Sequence, residues 1–141
     1  MHDLMNNVHP VRAVSPAAAI ADNTAIVGQI VDRADYESVT YLLLFGADTD
    51  TDATMTTLLE HGDASDGSDM VAAPDTDLLG TEVLASANFA DDNEPRKLGY
   101  VGGHRYTRMT VTPALNSGTV YLAIIALLGH PQQAPTPNPP I

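Results

Sequence analysis

The ten residues from Thr119 to Leu128, TVYLAIIALL, constrain this chain more than any other stretch. Their alternate positions are apolar on both sides. Val120, Leu122, Ile124, Ala126 and Leu128 form one row, and Tyr121, Ala123, Ile125 and Leu127 form the other. A strand without a polar row predicts cover on both faces, and therefore a central place in a sheet or sandwich. Burying its large side chains gives about 10–20 kcal/mol gross, while ordering ten residues costs about 15 kcal/mol. The segment therefore needs neighbours, and any function lies in what those neighbours display.

The remaining strands follow from alternation and turn residues. Ile26 to Arg33 predicts a strand with Gly28 at a bulge or a close backbone approach. Glu37 to Phe45 predicts a second, with Val39, Tyr41, Leu43 and Phe45 as its apolar row. Ala53 to Glu60 predicts a third, with Ala53, Met55, Thr57 and Leu59 inward. Met70 to Ala73 suits a short strand closed by Pro74, and residues 77–89 suit two short strands better than a helical turn. Lys97 to Val101 and His104 to Thr112 predict two more strands, with Gly102-Gly103 as a hairpin turn between them. Asn116-Ser117-Gly118 turns the chain into the apolar strand.

The two ends break this pattern. Residues 1–25 show little periodicity and contain Pro10 and Pro16, which predicts an extended arm. Residues 131–141, PQQAPTPNPPI, hold five of the ten prolines and no charge, which predicts a polyproline-type tail. The expected organisation is an arm over 1–25, a β domain over 26–130 and the tail over 131–141. The fold class is all-β, a single-domain sandwich or jelly roll. On this division, truncation at Gly129 leaves the fold intact.

At 141 residues the chain is long enough for one real core. The absence of cysteine excludes a disulfide scaffold, thiolate metal sites and a cysteine nucleophile. No apolar run reaches the roughly 18–20 residues of a spanning helix. The N-terminus lacks a basic start followed by an apolar block, so it does not read as a secretory signal, and the expected site of synthesis and assembly is the cytoplasm.

The net charge of −12 is unevenly placed: residues 34–94 contain fifteen acids and no Lys or Arg, while residues 95–141 contain four cations and no acid. An acidic body argues against nucleic-acid partners, whose binding depends on phosphate neutralisation. In the acid-free third, Arg105 and Arg108 lie beside Tyr100 and Tyr106, residue types enriched at interface hot spots. These four are candidate contact residues, as are Pro135, Pro137 and Pro139 of the tail. The competing reading pairs Arg105 with a carboxylate of the acidic middle segment.

Catalytic and metal signals are weak. Asp48, Asp50 and Asp52 have the alternating oxygen spacing that opens an EF-hand loop, but Ala53 stands where its glycine belongs and Leu59 where its bidentate Glu belongs. Asp63, Asp66 and Asp69 around Gly67 are further oxygen candidates for a hard cation. A solvated acidic turn explains either cluster as well. The five histidines, His2, His9, His61, His104 and His130, show no i, i+2 or i, i+4 pairing. With no Gly-rich phosphate loop, nucleophile elbow or H-E-x-x-H, the expectation is a protein that is not an enzyme and holds no cofactor.

Four stretches carry a resemblance: DYESVTYLLLFG (35–46), DATMTTLLEHGDASDGSDM (52–70), YVGGHRYTRMTVTP (100–113) and LLGHP (127–131). Together they are similar to the small head proteins of tailed bacteriophages, the capsid cement or decoration proteins. The resemblance implies a β-sandwich on the outside of the virion, with the major capsid protein as partner and self-association as a dimer or trimer. With the charge and hydropathy read above, the expected place of assembly is the host cytoplasm, and neither nucleic acid nor membrane is an expected partner. The alternative from a different class is a calcium-assisted carbohydrate-binding sandwich built on the Asp clusters. The scarcity of Trp and Phe counts against that alternative, because sugar platforms use large flat rings.

Overall fold

In a computed structural model that describes residues 3–140, alternating side chains close a core between two antiparallel sheets. His2 and the outermost residues of the expected arm and tail lie outside that range. In chain order the strands are β1 (Val8–Val14), β2 (Ile26–Val27), β3 (Val31–Asp32), β4 (Tyr36–Asp48), β5 (Thr54–Gly62), β6 (Val71–Ala72), β7 (Leu78–Leu79), β8 (Ala87–Asn88), β9 (Pro95–Tyr100), β10 (Tyr106–Ala114) and β11 (Val120–Pro131). Among the described residues, one short α-helix, α1 (Glu82–Ala85), and two 3-10 turns, Met5–Asn7 and Asp75–Asp77, accompany them. The first sheet runs β1-β11-β4-β9-β7. The second runs β2-β10-β5-β6, with β3 also on β10 and β8 also on β5. The expected all-β sandwich is therefore the observed fold.

The core is the meeting of the inward rows. Val39, Tyr41, Leu43 and Phe45 of β4 and Leu122, Ile124, Ala126 and Leu128 of β11 are each no more than 2% exposed. They face Met55 and Leu59 of β5 and Met109 and Val111 of β10. The Tyr41 hydroxyl meets Thr107 Oγ1 at 2.9 Å, so the polar end of this buried ring is satisfied across the sandwich. Gly28 makes the close approach its sequence context predicted. Its N–H donates to the Met109 carbonyl at 2.9 Å, and a Cβ there would stand 2.5 Å from that oxygen.

The free edge of β5 between β8 and β6 is closed by side chains. Glu82 Oε1 accepts the Leu59 N–H at 2.7 Å, and Ser86 Oγ accepts the Thr57 N–H at 2.9 Å. Thr81 caps α1 by accepting the Leu84 N–H. Residues 77–89, expected as strand, thus hold two two-residue strands and a helical turn between them, because donors in the middle of an edge need a partner that a strand does not supply here.

Three further expectations are corrected. The segment taken as an arm contains β1, which pairs with β11 from Val8 opposite Gly129 to Val14 opposite Ile124 and buries His9 and Ala13. Pro10 sits in it without penalty because β1 is an edge strand. The proline-rich tail is not free. Thr136 is buried, its N–H donates to the Asn6 carbonyl at 3.0 Å and its hydroxyl to the Val8 carbonyl at 2.6 Å. Gly102-Gly103 makes no hairpin, since β9 lies in the first sheet and β10 in the second, and the segment between them crosses the sandwich.

Candidate interaction surface

β11 does lie inside its sheet, between β1 and β4, but only one of its two apolar rows is covered. The other faces outward with the even-numbered row of β4. Tyr121 is 48% exposed, Ile125 45%, Leu42 39% and Leu44 51%. Scattered exposed apolar residues are ordinary, but these adjoin one another across two paired strands, and contiguous patches mark interaction sites. The apolar surface continues past β9 into a groove of about 570 Å³ lined by Leu79, Leu84, Pro95 and Lys97.

Register places a cation on each side of this strip. Arg12, Ile125, Leu42 and Lys97 stand directly opposite one another across β1, β11, β4 and β9. Cross-strand partners share a face, so all four project outward together. Three other cations are ion-paired: Arg96 with Asp91 and Glu94, Arg105 with Asp32 and Arg108 with Glu60. Arg33 donates to the carbonyls of His104 and Gly102. Among the described residues, Arg12 reaches only Ser15 Oγ and Lys97 makes no side-chain hydrogen bond or ion pair. Asp3 borders this face, near Leu127 and Gly129, and its carboxylate accepts from Asn6.

The contact residues expected from sequence are placed differently. Tyr100 is 1% exposed and Tyr106 is also buried, so neither is available to an outside partner. The greasy row of β9 and the crossing to β10 draw both rings inward. Arg105 holds Asp32 through two bonds of 2.9 and 2.7 Å, so it does pair internally, though with β3 and not with the acidic middle segment. Arg108 pairs with that segment, gripping Glu60 through two bonds of 3.0 Å, and Thr110 donates to the same carboxylate. These bonds hold the Glu60 carboxyl below the usual range. Pro135, Pro137 and Pro139 are exposed beside the buried Thr136.

The acidic clusters accept hydrogen bonds from their own loops and from neighbouring segments. Asp48 accepts the Asp50 N–H, Asp66 accepts the Ser68 N–H, and Asp69 accepts the N–H groups of Asp63 and Ala64. Asp63 accepts the Arg105 N–H and meets His104 Nδ1 at 2.9 Å. Asp52 is raised above the usual carboxylate range by the neighbouring Asp50. Among the described residues no group of three or more His, Asp or Glu is arranged to hold a metal ion.

Folding does bring two histidines together. The rings of His61 and His104 lie 4.2 Å apart, and His61 Nδ1 meets the Tyr100 hydroxyl at 2.9 Å. The same hydroxyl accepts the His104 N–H, which fastens the crossing between β9 and β10. Burial pushes the His61 imidazole down, with the charge of His104 acting in the same direction.

No protein-family model matches the chain, and no curated protein matches it in sequence. Solved structures do share the fold. The SPBc2 prophage-derived protein YomS is 12% identical with a TM-score of 0.52, over 88% of this chain and 94% of YomS. The PBSX exported protein XepA is 13% identical with a TM-score of 0.53, over 88% of this chain; the chain spans only 38% of XepA. A more distant similarity, with a TM-score of 0.46, is to a CBM22-1 xylan-binding domain from Paenibacillus barcinonensis Xyn10C, 7% identical over 85% of this chain and 81% of that domain. At these identities the likeness is one of fold: the chain has the sandwich seen in a prophage-derived protein.

The residues that sequence reasoning passed over are Arg12, Lys97, Leu42, Leu44 and Ile125. Their signal in the sequence is the second apolar row of β11, which by alternation alone is indistinguishable from a buried face.

Proposed function

We propose that this protein is a non-catalytic virion component of a tailed bacteriophage, one that docks on the outside of the capsid shell and ties neighbouring major capsid subunits together. The observation that carries the reading is the uncovered apolar face of the β1-β11-β4-β9 sheet, flanked by Arg12 and Lys97 on a body of net charge −12. A face of this kind is a binding surface, and the acidic remainder keeps the protein off the packaged nucleic acid. The resemblance in sequence to phage head proteins and the fold shared with YomS both favour a phage setting. Each contact is modest, but repetition over a shell multiplies the effect. The protein folds in the host cytoplasm and ends in the virion.

The test compares heads assembled with and without the protein. Heads lacking it are expected to lose their genome at a lower temperature, and added protein restores the wild-type value. An Ile125→Glu protein, which alters only the outer row, restores nothing. Equal heat stability of both kinds of head would sink the proposal.

A further inference from the structure

We infer that the outer face of the β1-β11-β4-β9 sheet is a seat for an amphipathic α-helix with acidic flanks, supplied by a protein other than this one. The inference rests on reading the face as a docking surface and names the kind of segment that docks there.

Width is the first argument. Strands lie about 4.8 Å apart, so the three spacings from Arg12 to Lys97 place their backbones roughly 14 Å apart. A helix with its side chains is about 10–12 Å across. Lying along the strands over β11 and β4, it sets its apolar stripe on Ile125 and Leu42, with one flank beside Arg12 and the other beside Lys97. Both cations are without a carboxylate partner among the described residues, so acidic flanks fit them.

Length and area agree. Tyr121 to Leu127 is seven residues, and its six rises of about 3.3 Å give about 20 Å, which matches a helix of about 13 residues. Those dimensions give a patch of roughly 300 Å², well below the ~800 Å² per partner of a standard stable interface. A single helix face, reading its anchors at i, i+3, i+4 and i+7, suits a strip of this size.

Charge also decides against a second copy of this chain. Two copies packed sheet to sheet would put two Arg12 and two Lys97 side chains in one layer whose paired rows contain no acid. Nor does this chain supply the helix: α1 has four residues and is its longest among those described.

The experiment uses the full protein and a designed probe. The probe is a capped 14-residue peptide with a leucine stripe flanked by glutamates on an alanine background. Its control carries lysines in place of the glutamates. Peptides are titrated into isotope-labelled protein by NMR, with circular dichroism following peptide helicity. The glutamate peptide is expected to shift the amides around Leu42 and Ile125, to become helical on binding, and to bind about tenfold tighter than the lysine peptide. In the Arg12→Glu/Lys97→Glu protein that preference reverses. Should this pair fail to fold, as judged by its melting curve, Lys97→Glu alone is expected to narrow the preference. Equal binding of the two peptides, shifts on another face, or no binding of either overturns the inference. So does a stronger response of the same amides to vesicles of anionic lipid than to the glutamate peptide. The heads provide a separate arm: if the peptide binds but the protein never enters particles, the capsid reading falls and the helix seat stands. If a photo-crosslinker at residue 125 joins the protein in particles to a β-strand segment, the helix seat falls and the capsid reading stands.

Discussion

Asp50 Oδ2 accepts the backbone N–H of Ser117 at 2.6 Å, along with the Gly118 N–H at 2.7 Å and the Ser117 hydroxyl at 3.0 Å. Its other oxygen accepts the N–H groups of Thr51 and Asp52. One carboxylate thus ties the loop leaving β4 to the loop entering β11. The run of alternating acids that suggests cation ligands is, at Asp50, a clamp on peptide donors.

Those donors favour the charged form and hold Asp50 far below the usual carboxylate range. In the unfolded chain the carboxyl has its ordinary value of about 3.9. Because the folded pKa is depressed, the stabilisation is fully present above about pH 4 and is lost as pH falls towards the folded value. Asp50→Asn is therefore expected to lower the melting temperature at pH 7, with the difference from wild type shrinking on acidification below about pH 4. Adding calcium leaves the wild-type melting temperature unchanged. A calcium-dependent rise that Asp50→Asn abolishes would restore the metal reading.

Alternation and turn chemistry made the sandwich legible, because β4, β5, β10 and β11 each bury one clean row. What stayed hidden depends on which elements meet. A double-glycine turn looks the same whether it closes a hairpin or crosses between sheets, as Gly102-Gly103 does. β1 was masked by Pro10 and Arg12, which an edge strand tolerates on its outward row. Most consequentially, two apolar rows in β11 equally suit a strand buried on both faces and one that keeps a face for a partner. Arg12 and Lys97 lie 85 positions apart, and only the register across four strands brings them into one row.

Glu60 and Arg108 form a largely shielded pair, 16% and 23% exposed, on the outer side of β5 and β10. Removing the cation leaves a carboxylate with Thr110 as its remaining side-chain donor. Arg108→Ala is expected to destabilise by about 1–3 kcal/mol. Glu60→Gln, which keeps an acceptor and the shape of the side chain, costs less. Urea melts of both variants decide the matter: equal stability of Arg108→Ala and wild type would return Arg108 to the pool of free contact residues.

The tail is a structural segment as far as Thr136. Ending the chain at Gly129 removes the pairing of Pro131 with Tyr36, the bond from the Gln132 N–H to Asp35, and both Thr136 bonds to the N-terminal segment. At about 0.5–1.5 kcal/mol net for each hydrogen bond, the loss is roughly 2–4 kcal/mol. Truncation is thus expected to lower the melting temperature, contrary to a tail that merely hangs from the domain. Thr136→Val, which deletes one of these bonds and keeps the volume, is expected to cost about 1 kcal/mol. Ending the chain after residue 137 keeps all of these bonds and is expected to leave stability unchanged.

Leu42 and Leu43 are chain neighbours with opposite fates. Leu43 is 1% exposed among the inward rows, and Leu42 is 39% exposed between Ile125 and Lys97 on the open face. A one-residue slip in register would exchange them, so the pair reports on the assignment of faces. Leu43→Ala opens a cavity and is expected to destabilise by about 2–5 kcal/mol. Leu42→Ser removes an exposed side chain and is expected to change stability by no more than about 0.5 kcal/mol. The same Leu42→Ser protein should lose attachment to its partner while melting like wild type, whereas Leu43→Ala loses stability first. If Leu42→Ser is instead the costly variant, the face offered to a partner is in fact the core, and the surface described above does not exist.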